Sequence, residues 1–444
     1  MDSYLLSLRI FGEMTTLHMG SHLWVVINSD RVASEIISKR ATITSERAHM
    51  PISSDLISNG KRSVLQRSAT WSEGRRLMRP LLTGPLAKTF VKWQDLESAQ
   101  LLLSCLQSPE KWYLHHSRYA TAATYGVVAG HRLNKSEEEL AEYRKVTKEF
   151  LASLFNTTVD FFPILSRIPR PLQLWRQQWE AVGLSHRRIF KKCWGPIKEK
   201  VEEGLAGDSW VRDVLLKSDK GREEEALYLT NSVISAGGDN IRMTLNTFAM
   251  VSIHYPQAFQ KCRQEIDEVC GGRGVRLRLP GLEDISSMPC LCAFIKELLR
   301  WRPVVPLIPP HQLTEELKYA GFVFSVQTNF VINTVAICAD CEQPEKFLPE
   351  RWLDGSGNEA ILTHRFWGFG GGRRVCIGYK AAQPALFLAL SRLICCFDFE
   401  LNGNYDSKRL NHGSTTEPFP VRVSKRSSTH EHLIWKEGAA RGLC

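Results

Sequence analysis

The chain has 444 residues, 43% hydrophobic and 23% charged, with 57 Lys and Arg against 47 Asp and Glu for a formal net charge of +10. That is the composition of a globular chain with a sizeable core; no internal repeat or low-complexity tract marks a solenoid or a disordered tail, and no basic cluster with interleaved aromatics marks a nucleic-acid binder. The basic balance suits an acidic protein partner or anionic lipid, and 12 cysteines scattered from Cys105 to Cys444 follow no compact disulfide framework, which implies a reducing, cytosol-facing setting.

Met1 to Asp30 contain no apolar run of the ~20 residues that cross a bilayer, and no signal peptide. Instead Thr15 to Asn28 alternates as strand, with a turn at Gly20-Ser21-His22. A helix follows at about Arg31 to Lys39, capped by Ser29 or Asp30. Helical patterns dominate from Trp71 to Trp301, with loops at Asn156–Pro171, Gly204–Asp208 and Gly271–Gly281. Val159-Asp-Phe-Phe-Pro-Ile-Leu165, beside Arg167 and Arg170, reads either as a loop that dips into a membrane interface or as a buried inter-helix loop. Strand-like patterning returns over Leu317 to Ile337. Ala385 to Phe397 is the last apolar helix, Phe419 to Val423 a last strand, and Glu431 to Cys444 a poorly ordered tail. The sum is a mainly α chain with a small β-subdomain built from sequence-distant pieces.

Phe369-Gly-Gly-Gly-Arg-Arg-Val-Cys376-Ile-Gly378 sets one cysteine in a glycine-rich, arginine-bearing loop that leads into an apolar helix. A thiolate is the ligand that pushes electron density onto a haem iron and favours O–O cleavage. Glycines let backbone approach a flat macrocycle. Arg374 suits a negative group such as a haem propionate, and the helix start would favour an ionised sulfur. Phe369, Gly372, Arg374, Cys376 and Gly378 fit F-x-x-G-x-R-x-C-x-G, which resembles the haem-binding loop of the cytochrome P450 family. A phosphate loop would need Gly-Lys-Ser/Thr, and Lys380 has no such partner.

The resemblance extends along the chain in order. Trp71-Ser-Glu-Gly-Arg75 matches the W-x-x-x-R helix, which implies that Trp71 and Arg75 contact a propionate. Glu297-Leu-Leu-Arg300 and Pro344-Glu-Lys-Phe347-Leu-Pro349-Glu-Arg351 are similar to the E-x-x-R and P-x-x-F-x-P-E-R segments. They imply a buried triad of Glu297, Arg300 and Arg351 that fixes the cysteine loop. His311 occupies a position implied to face the other propionate. Ala236-Gly-Gly-Asp239-Asn240, on a helix from about Glu224 to His254, resembles the oxygen-activating A-G-x-D/E-T segment. Two mid-helix glycines cost about 1 kcal/mol each against alanine, and close approach to the haem with a local opening of the helix would justify them. Asp239 is then the acid that delivers protons, and Asn240 stands where most relatives carry threonine, so no hydroxyl is presented there. Pocket walls carry over to Ser232, Ser235, Ala236, Val304, Val305, Leu307, Ile308 and the loop from Thr415 to Phe419, an apolar lining with a few hydroxyls. The segment from Ala336 to Pro344 is a few residues shorter than in relatives, and the chain begins where their first β-sheet begins, without an anchor helix.

The resemblance therefore implies the P450 fold, a single domain over residues 1–430 with its β-subdomain from about 10–30 and 315–340, then a tail over 431–444. It implies a haem-thiolate monooxygenase with haem b and O2, most like fungal members that oxidise secondary metabolites. Electrons would come from NADPH through an NADPH-cytochrome P450 reductase, and the substrate would be a lipophilic small molecule. The family's setting is the cytosolic face of the endoplasmic reticulum; this chain is expected to be peripheral or soluble. Two other readings keep the haem and drop the chemistry: a reductase-independent isomerase or dehydratase, and a non-catalytic haem binder from a decayed gene.

Overall fold

The first two strands differ as their sequences do. β1 (Met14–Met19) is exposed at Thr16, Leu17 and His18, as an edge strand should be. β2 (His22–Ile27) carries Trp24, Val25, Val26 and Ile27, all buried, and a run buried on both faces belongs inside a sheet. The structure is a computed structural model and describes residues 8–19, 22–82, 85–154, 157–218, 222–271, 277–353, 366–405, 413–414 and 420–444. The strands that follow are β3 (Glu46–Arg47), β4 (His311–Gln312), β5 (Leu317–Tyr319), β6 (Phe322–Phe324), β7 (Asn329–Ile332), β8 (Phe397–Leu401) and β9 (Val421–Lys425). Five of them form one sheet in the order β1-β2-β7-β4-β3. β2 and β7 run parallel, with Trp24 opposite Asn329 and Ile27 opposite Ile332, which joins the two ends of the chain as the sequence pattern implies.

Helices carry the rest: α1 (Ser68–Met78), α2 (Pro85–Gln107), α3 (Trp112–Ala129), α4 (Glu137–Ser153), α5 (Arg176–Glu202), α6 (Glu223–His254), α7 (Pro256–Gly271), α8 (Pro289–Trp301), α9 (Tyr379–Cys396) and α10 (Ser428–Ala440), with shorter helical turns between them. Three glutamates open α6, where the helix dipole favours negative charge. Its C-terminal half is buried almost all round, as is α9 from Ala385 to Cys396; both are helices wrapped by protein. α3, α6, α8 and α9 share the largest core, where Phe294 meets Phe347 edge-on at 5.0 Å and Phe248 meets Phe399 at 5.1 Å.

Four sequence expectations shift. The helix after the cysteine loop begins at Tyr379, six residues before Ala385. Pro384 sits early in it, and the Gly378 carbonyl already accepts from the amides of Ala381 and Ala382 at 3.0 Å each, so the helix is established before the proline. The stretch read as strand to Ile337 ends at Ile332 instead. Thr334–Cys338 is a helical turn because the Asn333 side chain caps it, accepting from the Ala336 amide at 3.1 Å. The loop at 156–171 contains the short helix Thr158–Phe161 and the turn Pro163–Arg167. The tail is helical: Ser427 caps α10, Leu433 and Ile434 are buried, and Arg441 pairs with Asp95 of α2 at 2.9 Å. A cap and an apolar pair within the segment, with a charge partner on α2, hold the α10 segment that its terminal position made look disposable.

Candidate functional site

The loop that carries Cys376 is two helical turns, Trp367–Phe369 and Gly372–Arg374, joined by left-handed glycines at Gly370 (φ +72°) and Gly372 (φ +61°). The Cys376 amide donates to the Phe369 carbonyl at 2.7 Å, which closes the loop on itself. Two of the glycines have a reason within the protein itself. A Cβ at Gly372 would stand 2.3 Å from the Ile37 carbonyl oxygen, and one at Gly371 would stand 2.4 Å from the Trp367 ring. The missing side chains of Gly371 and Gly372 admit an indole and the segment Ser34–Ser38, a constraint that stands beside the expected approach to a flat ligand. Gly378 is the N-cap of α9, and a Cβ there would lie 3.7 Å from the Cys376 sulfur. Burial pushes the Cys376 thiol up, while the Gly378 amide, the Arg75 guanidinium and the Tyr379 amide pull it down. A bound metal cation deprotonates such a thiol outright.

Beside this loop lies a buried cationic cluster whose donors face carbonyls in place of carboxylates. Arg374 donates from Nε to the Ser45 carbonyl at 2.8 Å and from Nη2 to the Gln66 carbonyl at 3.0 Å, and it stacks 3.9 Å from the Trp71 ring. Its Nη1 is buried and has no partner among the described residues. Arg75 donates to the Val375 carbonyl, one residue from the cysteine. His311 donates from Nδ1 to the Thr44 carbonyl at 2.8 Å, and its buried Nε2 has no partner among the described residues. Burial and the charge of Arg47 hold His311 well below its ordinary pKa. Burial lowers Arg374 to about 10, with the Glu46 carboxylate opposing the shift and Arg75 adding to it. Arg47, absent from the sequence reading, belongs here too: it is buried and donates to the Val64 carbonyl at 3.0 Å and the Pro310 carbonyl at 3.2 Å. A cluster this desolvated calls for an anion. The cysteine, the unpartnered Nη1 and Nε2 and the surplus of positive charge fit a haem with two propionates.

The predicted triad is assembled. Glu297, fully buried, accepts from Arg300 Nε and Nη2 at 2.8 Å each and from Arg351 Nε at 3.2 Å. The Leu348 amide at 2.9 Å and Trp352 Nε1 at 2.8 Å complete its shell. The arginines then clamp the segment around Pro344. Arg300 Nη1 reaches the Cys338 and Pro344 carbonyls at 3.2 and 3.1 Å, and Arg351 reaches the Glu342 and Gln343 carbonyls at 2.9 and 3.3 Å. The carbonyls of this segment are thus in use.

On α6 the paired glycines have a reason in helix packing, and the expected local opening of the helix is absent. A Cβ at Gly237 would stand 2.4 Å from Thr124 Oγ1, and one at Gly238 would stand 2.9 Å from Thr121 Oγ1. They let α3 and α6 approach closely, and α6 runs as one helix through them. Ala236 and Asn240, one turn apart, are exposed midway along this otherwise buried helix. Asp239 turns aside: Arg242 donates to its Oδ1 from Nε at 3.0 Å and Nη2 at 2.7 Å, and the same arginine reaches the carbonyls of Gly413 and Ser414. Arg242 was legible as an opposite charge three residues on. The Thr244 hydroxyl donates to the Asn240 carbonyl at 3.0 Å.

Of the other pocket residues, Ser232 shares the face of Ala236, with its hydroxyl bonded to the Tyr228 carbonyl at 2.7 Å. Ser235 does not share it: buried, it donates to the Tyr143 hydroxyl at 3.1 Å. Val304, Val305 and Leu307 are half-buried, whereas Ile308 joins the core of the β-sheet. Thr415 and Phe419 lie outside the described residues. Phe369 is half-buried between Phe366 and Tyr379, with ring centroids 6.1 and 6.4 Å away.

Comparison with known proteins agrees with this geometry. A family model described as cytochrome P450 matches residues 7–423. The chain is 28% identical to cytochrome P450 monooxygenase fogE of Aspergillus ruber over 456 aligned positions, covering 97% of this chain and 84% of that protein. It is also 28% identical to cytochrome P450 monooxygenase virE of Hypocrea virens, covering 88% and 73%. A zebrafish cytochrome P450 solved with progesterone superposes with a TM-score of 0.76 at 24% identity, over 95% of this chain and 99% of that one.

Proposed function

The chain belongs to the cytochrome P450 family of monooxygenases, and from that premise we propose that Cys376 ligates a haem iron while Trp71, Arg75, Arg374 and His311 hold its propionates. Bound there, the haem would supply reductive activation of O2, with one oxygen atom passing to substrate and the other leaving as water. The observation that carries the reading is the pair of unpartnered buried nitrogens, Arg374 Nη1 and His311 Nε2, beside the loop that presents the Cys376 sulfur. An arriving carboxylate would draw a proton onto Nε2 and turn the imidazole into a donor at both nitrogens.

Glu297, Arg300 and Arg351 position the loop and take no part in proton transfer. Asp239 moves protons: both Arg242 bonds go to Oδ1, which leaves Oδ2 to exchange protons with water. Asn240 has an amide where a hydroxyl would orient that water, and its exposed side chain does so by donating and accepting. The substrate is a lipophilic small molecule of the kind fungal secondary metabolism supplies, lying along Ser232, Ala236 and Asn240 and bounded by Val304, Val305 and Leu307.

Electrons come from NADPH through a reductase that docks on the Cys376 side, where Arg373 and Lys380 are exposed. Reversing both charges would slow haem reduction, and an unchanged rate would remove that docking face. Among the described residues no helix is long and apolar enough to cross a membrane. Phe162, Ile164, Leu172 and Leu174 are exposed beside Arg167 and Arg170, and Phe161 packs edge-on against Trp24 of the N-terminal sheet. This apolar patch with a basic rim seats the protein on an anionic membrane surface such as the cytosolic face of the endoplasmic reticulum.

The test is turnover of a lipophilic compound library with a fungal reductase under labelled O2. One labelled atom in product, strictly dependent on NADPH, is expected. Turnover without NADPH and without label would instead support an isomerase or dehydratase, the chemistry that the missing hydroxyl at Asn240 favours.

A further inference from the structure

One buried charge is used neither by the cysteine side nor by the proton path. Arg62 is 4% exposed, and its Nε and Nη2 have no hydrogen-bond partner among the described residues. Its guanidinium carbon lies 3.8 Å from the centroid of Phe150 on α4 and 5.1 Å from that of Phe190 on α5. Cation–π contact offsets only part of the cost of removing a guanidinium from water, and among the described residues no carboxylate pairs with this one. The acids nearby are engaged: Glu149 bonds His186 Nε2 at 3.0 Å, and Glu225 pairs with Lys61. Burial first, and the Arg62 charge second, lower His186 to about 4. Its Nδ1 is a further buried nitrogen with no partner among the described residues.

The position of Arg62 gives the orphan donors a purpose. It sits in the turn whose Val64 and Gln66 carbonyls hold Arg47 and Arg374. From there its side chain reaches Phe190, which packs edge-on against Tyr228 of α6 at 5.5 Å. Tyr228, Ser232, Ala236 and Asn240 succeed one another every four residues along a ridge that winds about 40° round α6 at each step, so Asn240 is about 18 Å along the helix from Tyr228 and about a third of a turn round from it. We infer that Arg62 recognises a carboxylate at one end of an elongated lipophilic substrate whose other end reaches Ala236 and Asn240. The far end rests on the monooxygenase reading; the carboxylate end rests on Arg62 alone. A carboxylate matches the two N–H donors of a guanidinium edge, and burial among aromatic rings makes the contact selective, because a neutral analogue leaves the charge unpaired.

Dodecanoate and methyl dodecanoate test this by isothermal titration into the purified holoprotein. The acid should bind at least tenfold more tightly than the ester. Arg62→Gln should abolish that preference and leave ester affinity unchanged, and Arg62→Lys should keep part of it. Equal binding of acid and ester to the unsubstituted protein, or equal weakening of both by Arg62→Gln, would overturn the inference and leave Arg62 a packing residue. Should Arg62→Gln fail to fold, the acid-to-ester ratio of the unsubstituted protein decides alone. The ferrous–carbon monoxide spectrum keeps the two readings apart. A thiolate band with no acid preference sinks the Arg62 site only, and an acid preference without the band sinks the monooxygenase only.

Discussion

The two sides of the candidate site are fixed to different tolerances. On the cysteine side each group is held several times over. Glu297 accepts five hydrogen bonds, Gly372 abuts a carbonyl, and the Cys376 amide is tied to Phe369. On the α6 side Asp239 depends on one arginine three residues away, and Ala236 and Asn240 stand exposed. Holding one cofactor would admit one geometry, whereas the α6 side, held by fewer contacts, leaves more room for change. Asn240 lies on that more tolerant side.

That contrast can be broken by substitution. Glu297→Ala should do the most damage, because it leaves Arg300 and Arg351 buried without their carboxylate. A loss of about 3–5 kcal/mol in urea unfolding, with poor haem retention, is expected; a loss below about 1 kcal/mol would mean the triad does not hold the loop. Acidification should come next. The ordinary histidine pKa is near 6.5, and His116 is lowered to about 3 and His186 to about 4, mainly by burial. Below pH 6.5 the unfolded chain takes up protons that these native imidazoles refuse. Stability that is complete above pH 6.5 therefore falls as pH drops toward 4, by about 1.4 kcal/mol per pH unit for each histidine. Flat stability between pH 7 and 5 would contradict their burial as neutral groups.

Gly237→Ala comes third. Its Cβ would strike Thr124, at a cost of about 1–3 kcal/mol, and Thr124→Ala in the same chain should recover most of it. Were the glycine instead there for the haem, the second substitution would rescue nothing. Asn240→Thr should be the mildest for stability, while raising the product formed per NADPH consumed. A large stability loss with unchanged coupling would deny that this face is tolerant.

The cysteine side was largely legible in sequence because its geometry depends on residue types at fixed spacing: a carboxylate three residues before an arginine, glycines where φ is positive, a cysteine ahead of a helix. Arg47 was not legible, since its partners Pro309 and Pro310 lie far along the chain and are backbone carbonyls, which no side-chain motif announces. The glycines of α6 were legible as a cost, but their reason, Thr121 and Thr124 on another helix, is tertiary. Ser235 was assigned to the pocket by proximity in sequence, yet one residue is 100° of helix, and that turns it toward Tyr143. The α10 helix was missed because terminal position outweighed its cap and its apolar pair.

The most direct measurement is the carbon monoxide difference spectrum of the reduced, purified protein beside that of Cys376→Ala. The account predicts the red-shifted band of a thiolate-ligated ferrous haem in the first and its loss in the second. A protein that binds no haem, or a band of the same position in both, would contradict it.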